Sequence, residues 1–146
     1  MAEKTPQTYK NHARLVTMYH FVALPLLLIN LVYRLYLITQ DQTFGTLNAL
    51  AVAFALIVVA VFARGFALSA QDRVIRLEER LRMQRLLPDD LKSHINDYTT
   101  KQLIALRFAS DGELPGLARK VLDDDIAEQK TIKQMIQEWR PDYQRV

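Results

Sequence analysis

Two long apolar stretches separated by eight residues constrain this chain more than anything else in it. The first runs from about Leu15 to Ile38. The second, LNALAVAFALIVVAVFARGFAL, runs from Leu47 to Leu68. Each supplies the roughly 20 apolar residues that a helix needs to cross about 30 Å of hydrocarbon. Between them lies TQDQTFGT, where Gly45 is the expected turn residue. So short a link makes the two helices antiparallel neighbours. Charges dominate after Leu68, so the averages of 50% hydrophobic and 24% charged residues hide two environments, lipid and then water. The predicted fold class is all-α. A two-helix transmembrane hairpin over residues 15–68 follows an N-terminal segment, 1–14. The second span continues as a long cytoplasmic helix over 69–87, and a small helical module occupies 88–146.

A cleaved leader fits the first stretch poorly. MAEKTPQTYKNHAR is long for an n-region, and the apolar run exceeds an h-region with no small-residue cleavage site close behind. The stretch is therefore read as retained. Lys4, Lys10 and Arg14 precede the first span, and Arg64, Arg73, Arg76, Arg80, Arg82 and Arg85 close or follow the second. The link carries Asp41 and no basic residue. Positive charge stays on the cytoplasmic side, which predicts both termini there. Tyr19 and Phe21 near one end of the first span, with Tyr33 and Tyr36 near the other, fit interfacial belts.

The first span also holds His20, Pro25, Asn30 and Arg34. At about 100° per residue, His20, Asn30 and Arg34 share one stripe. A charge facing lipid is costly, so the stripe faces protein or a polar cavity. Packing on the second span or on a neighbouring subunit is the plainer expectation, with Arg34 reaching toward Asp41. An ion path or ligand site is the sharper one. His20 and Arg34 lie about 21 Å apart along a helix, too far to act on one atom. Pro25 is expected to kink the span or loosen its hydrogen-bond ladder.

No proline interrupts the chain from Leu47 to Leu87, which predicts one helix about 60 Å long. Along it Ala53, Leu56, Ala60, Ala63, Ala67, Ala70, Val74, Leu77 and Leu81 recur at spacings of three and four. That is a heptad seam, alanine-rich first and larger later. The first span reaches only its first half. Either the C-terminal helices or another chain must cover Val74, Leu77 and Leu81, and a homo-oligomer is the expectation. Asp72 with Arg76, and Glu78 with Arg82, stand at ion-pair spacing. Arg73, Arg76 and Arg80 could meet anionic lipid head groups, though a plain topology signal explains them too.

Four short helices are predicted beyond Pro88. LLPDDLKSHI begins the first. Thr99 with Gln102 forms a capping box for the second, whose buried face is Leu103, Leu106 and Ala109. The third is entered through Ser110 or Asp111 and runs to Leu122 or beyond. DDDIAEQKTIKQMIQEW forms the fourth, with Ile126, Ile132, Met135, Ile136 and Trp139 as its apolar set and Pro141 as the stop. From Pro88 onward nine basic residues face eleven acidic ones, a balance opposed to nucleic-acid binding.

Chemistry is hard to find. The chain has no cysteine, hence no disulfide and no thiolate metal site. It has no Gly-rich phosphate loop and no H-E-x-x-H, and His12, His20 and His94 are scattered. Asp123, Asp124 and Asp125 lack the spacing of a calcium loop and suit a solvated helix end. Asp111 and Glu113 suit ordinary capping. No catalytic residue, cofactor or metal is predicted.

QTYKNHARLVTMYHFVALPLLL, TTKQLIALRFASDGELPGLARKVL and IKQMIQEWRPDYQRV resemble segments of an uncharacterised bacterial family of two-span membrane proteins, a domain of unknown function. The resemblance covers nearly the whole chain and implies a bacterial inner-membrane protein. It carries no activity, substrate or site. Within NHAR…YHF it draws attention to Asn11, His12, Arg14 and Tyr19 at the inner membrane surface, where interfacial anchoring is the plainer role. The expected function is that of a non-enzymatic membrane scaffold or accessory subunit, bound to lipid and to itself or to a partner membrane protein. The alternative is a small homo-oligomeric channel or transporter-like assembly lined by the polar stripe.

Overall fold

The structure is a computed structural model and describes residues 7–11 and 15–143. His12 and Arg14 lie outside the described residues. The chain divides into two compact units, Arg14–Leu68 and Met1–Ala13 with Ser69–Arg145. All regular structure among the described residues is helical: a π-helical turn Met18–Ala23, then α1 (Leu24–Gln40), α2 (Phe44–Leu86), α3 (Asp89–Lys92), α4 (Thr100–Leu106), α5 (Leu114–Asp123) and α6 (Gln129–Met135). The single long second helix is present, at 43 residues.

In the first unit the link is shorter than the sequence suggests. Only Asp41, Gln42 and Thr43 lie outside helix. Gly45 is not a turn residue but part of the first turn of α2, and no glycine among those described has positive φ. Threonine hydroxyls do the turning instead. Thr43 Oγ1 accepts from the Thr46 N–H at 3.3 Å, and Thr46 Oγ1 donates to the Asp41 carbonyl at 2.8 Å. These bonds satisfy helix-end groups that a glycine would leave to water.

Pro25 acts on the ladder as expected. It has no N–H, and its ring crowds the carbonyl four residues back. The backbone answers with a π-helical turn just upstream, in which the Leu24 N–H reaches the Tyr19 carbonyl five residues back. Pro25 then sits in the first turn of α1, where its missing donor is harmless.

The second unit contains the core. Met83 near the end of α2 and Leu87 just beyond it pack with Leu91, Ile95, Tyr98, Leu103, Leu106, Phe108, Leu114, Val121 and Ile132. Leu103 and Leu106 are fully buried, as the periodicity of α4 predicts; the helix ends at Leu106, short of Ala109, which is buried beyond it. The capping box of α4 is complete in both directions. Burial pushes the Tyr98 phenol up to about 12, and Asp123 adds to that shift. The phenol donates to the Ala118 carbonyl at 3.0 Å.

Of the last two helices, α5 ends where its pattern suggests and α6 ends earlier. α5 stops at Asp123. Asp124 is its C-cap, and Asp125 takes the left-handed conformation at φ 46°. The three aspartates thus terminate a helix and do not begin the next. α6 stops at Met135, and its C-cap Ile136 is extended. Tertiary hydrogen bonds capture the backbone there. Glu113 accepts from the Gln137 and Glu138 N–H groups at 2.9 and 3.1 Å, and Arg140 N–H donates to the Phe108 carbonyl at 2.7 Å. Ala109 and Trp139 form an isolated antiparallel bridge. Trp139 still reaches the core, its ring 4.9 Å from that of Phe108.

Candidate functional site

In the first unit the polar stripe of α1 lies on its less exposed side. Leu24, Leu27, Asn30, Leu31, Arg34, Leu37 and Ile38 are half-buried, while Leu26, Leu28, Ile29 and Val32 are open. On α2 the matching side is Ala49, Leu50, Ala53, Ile57, Ala60 and Arg64, with Ala53 only 1% exposed. Tyr19 ties the two together, its phenol donating to the Ala60 carbonyl at 2.8 Å. His20 is engaged locally: its Nδ1 lies 3.0 Å from the Val16 carbonyl oxygen and 3.1 Å from the Val16 nitrogen, and its ring meets Tyr19 edge-on. Arg34 does not reach Asp41. Its guanidinium lies 5.8 Å from the centre of the Tyr33 ring, within cation–π range. The stripe therefore lies on the less exposed side of the helix, and His20 and Arg34 stay at separate points along it.

In the second unit, Asn11 is spent on a local turn, its carboxamide oxygen accepting from the Thr8 N–H at 2.5 Å. Gln7 makes a reciprocal pair with the Asp142 backbone, accepting its N–H at 2.8 Å and donating to its carbonyl at 3.4 Å. Of the inner-surface group, then, Tyr19 is a helix tie and Asn11 a turn former.

The arginines following the second span divide by face. Arg73 and Arg76 are exposed and Arg80 is half-buried. Arg82 is turned inward, only 4% exposed, and is the hub of a charged network. Its guanidinium donates to Glu79 at 3.0 Å, to Asp111 at 2.8 Å and to the Ala109 carbonyl at 2.7 Å. Arg140 donates to the other Glu79 oxygen at 3.3 Å. The Arg82 hydrogen bond holds the Asp111 carboxyl below its ordinary range. The pairing is with Glu79, three residues away, and not with Glu78 as spacing suggests. Asp72 and Arg76 form no ion pair among the described residues. Asp111 and Glu113, read as caps, are long-range tethers. Two signals for this network exist in the sequence. Ile75, Glu79, Arg82 and Met83 share one helix face, and a glutamate and an arginine stand among apolar residues on it.

The seam divides as well. Ala60 and Ala67 are half-buried, and Ala63 and Ala70 exposed. Val74, Leu77 and Leu81 are 54%, 61% and 52% exposed. The C-terminal helices fold onto Met83 and Leu87 instead of covering these three. Beside Val74 and Leu81 a cleft of about 880 Å³ opens, bordered also by Arg85, Arg107 and Tyr143. Arg107 Nη1 stands 3.5 Å from Asp142 there. Among the described residues no three His, Asp or Glu side chains gather to hold a metal ion.

The chain as a whole matches one family description. It belongs to a family of unknown function (DUF6526), matched over residues 1–146. No curated protein and no solved structure matches it. The family supplies no activity to carry onto these residues, so function rests on their geometry.

Proposed function

We propose that this DUF6526 chain is a non-enzymatic integral membrane protein that serves as a scaffold or accessory subunit and associates with itself through α2. Two helices, Met18–Gln40 and Phe44–Leu86, are long and apolar enough to cross a membrane. The apolar windows are 0% and 6% buried. A core helix of a water-soluble protein buries its apolar face; these present theirs outward, as lipid-facing helices do. The basic residues flanking the hairpin support a cytoplasmic-side location for both termini in a bacterial inner membrane.

Self-association rests on one observation: Val74, Leu77 and Leu81 stay open on a helix whose other face is already occupied by its own module. An exposed row of large apolar side chains at heptad spacing is a partner surface by composition and geometry. Extraction from native membranes in mild detergent, followed by mass measurement, tests the proposal. A complex of more than one copy is expected. A monomer free of protein partners would overturn it. The half-buried positions of His20 and Arg34, the first bonded to the Val16 backbone and the second near the Tyr33 ring, support packing over conduction. Changing both to leucine is expected to disturb assembly; loss of ion flux with assembly intact would establish the channel instead.

A further inference from the structure

The open face of α2 also says how two copies meet. Ala70, Val74, Leu77 and Leu81 lie in one arc of the helix. Ile75, Glu79, Arg82 and Met83, which meet the module, lie roughly 150° round the axis at about 100° per residue. The core contacts to the module thus lie on the opposite side, while Val74, Glu78 and Leu81 border the cleft whose other wall includes Arg107 and Tyr143. The spacings of four, three and four put Val74 and Leu81 at heptad position a, and Ala70 and Leu77 at d. Val74 at a with Leu77 at d is the pairing that favours two parallel strands, while Leu81 at a and Ala70 at d are neutral to that choice.

The flanking charges agree. Arg73 falls at g and Glu78 at e, and both are exposed. In a parallel pair in register, each g residue faces the e residue five positions on in the other chain. Arg73 then meets Glu78 of the partner subunit, twice over by symmetry. An antiparallel pair of the same heptads sets Arg73 against Arg80 of the partner subunit, a like-charged contact. The next parallel position sets half-buried Arg80 against Arg85 of the partner subunit, also like-charged, so the favourable seam ends at Leu81.

We propose that a second copy of this chain covers the Val74–Leu77–Leu81 face as a parallel, in-register, two-stranded pair, locked by Arg73 to Glu78 of the partner subunit. The proposal rests on the self-association above, and the test separates the two.

The full chain lacks cysteine, so single thiols report cleanly. In native membranes L77C should crosslink to itself, and R76C, on another face, should not. In mild detergent R73E and E78R should each weaken dimerisation about tenfold, since two attractive pairs become two repulsive ones. R73E/E78R, which exchanges the charges, should restore it. High salt should shrink all three differences. Crosslinking at L77C with no effect of either charge reversal, or no rescue by the double variant, would overturn the parallel register while self-association stands. A mass of three or more copies would overturn the two-stranded pairing. No crosslink at L77C together with a monomeric mass would sink both.

Discussion

At the scale of the residue, Arg82 and Glu79 carry the most consequence. Both are 4% exposed, and each is the other's partner. Removing one member of a buried ion pair leaves the other charged and desolvated, at a cost of about 3–5 kcal/mol. R82L leaves Glu79 with the half-exposed Arg140 as its remaining partner, so it should destabilise the second unit by about 3 kcal/mol, the low end of that range, and E79L/R82L by clearly less. A denaturation cycle on the detergent-solubilised protein measures the difference. Asp111 adds a pH dependence. Its carboxyl is depressed on folding by Arg82, so its contribution is present above the unfolded pKa of about 3.9 and is lost as pH falls through the native value. The melting temperature should fall below about pH 4. D111N should remove part of that fall and leave the share of Asp90, which Arg119 depresses in the same way. Asp125, left-handed at φ 46°, sits where glycine has no Cβ penalty. D125G is expected to raise stability by about 0.5 kcal/mol, read from a thermal melt.

At the scale of the element, the ends of helices decide where the module closes. α4 starts at Thr99 because its hydroxyl and the Gln102 side chain satisfy each other's backbone donors. T99A removes half of that exchange and should cost about 1 kcal/mol, with the loss visible as reduced helicity on heating. This start was legible in four residues, because a capping box is local. The end of α6 was not. Ile132, Met135, Ile136 and Trp139 keep helical spacing, yet the helix stops at Met135 because Glu113, 24 residues earlier, takes the next N–H groups. Likewise the sequence suggests Ser110 and Asp111 only as an entry to α5. Their side chains serve Glu138 and Arg82 as well.

At the scale of the whole molecule, the chain returns to its own long helix. Arg140 reaches Glu79 across 61 positions, and Asp142 reaches Gln7 across 135. These contacts join the last described segment to both α2 and the start of the chain within one unit. A chain terminated after Gln137 loses the Ala109–Trp139 bridge, the cover of Trp139 on Phe108 and the second partner of Glu79. It should melt lower and be cut faster by protease within 88–137, while crosslinking of the proposed dimer at L77C in membranes should persist, since the face of Val74 and Leu77 owes nothing to the bridge.

The order of residues alone determined the all-helical class, the two apolar helices, the uninterrupted length of the second, and the buried face of α4. Those are set by apolar length, period and caps, which act over a few residues. It also placed Val74, Leu77 and Leu81 on one line. Only the tertiary structure decided that this line stays open while Ile75 and Met83 turn inward, that Arg82 is buried rather than solvated, and that Glu113 holds Gln137. Each of those depends on which distant segment comes back to fill a face. Two apolar faces on one helix compete for the same module on equal local terms, and the one with ion-pair partners waiting at Asp111 and Arg140 wins it.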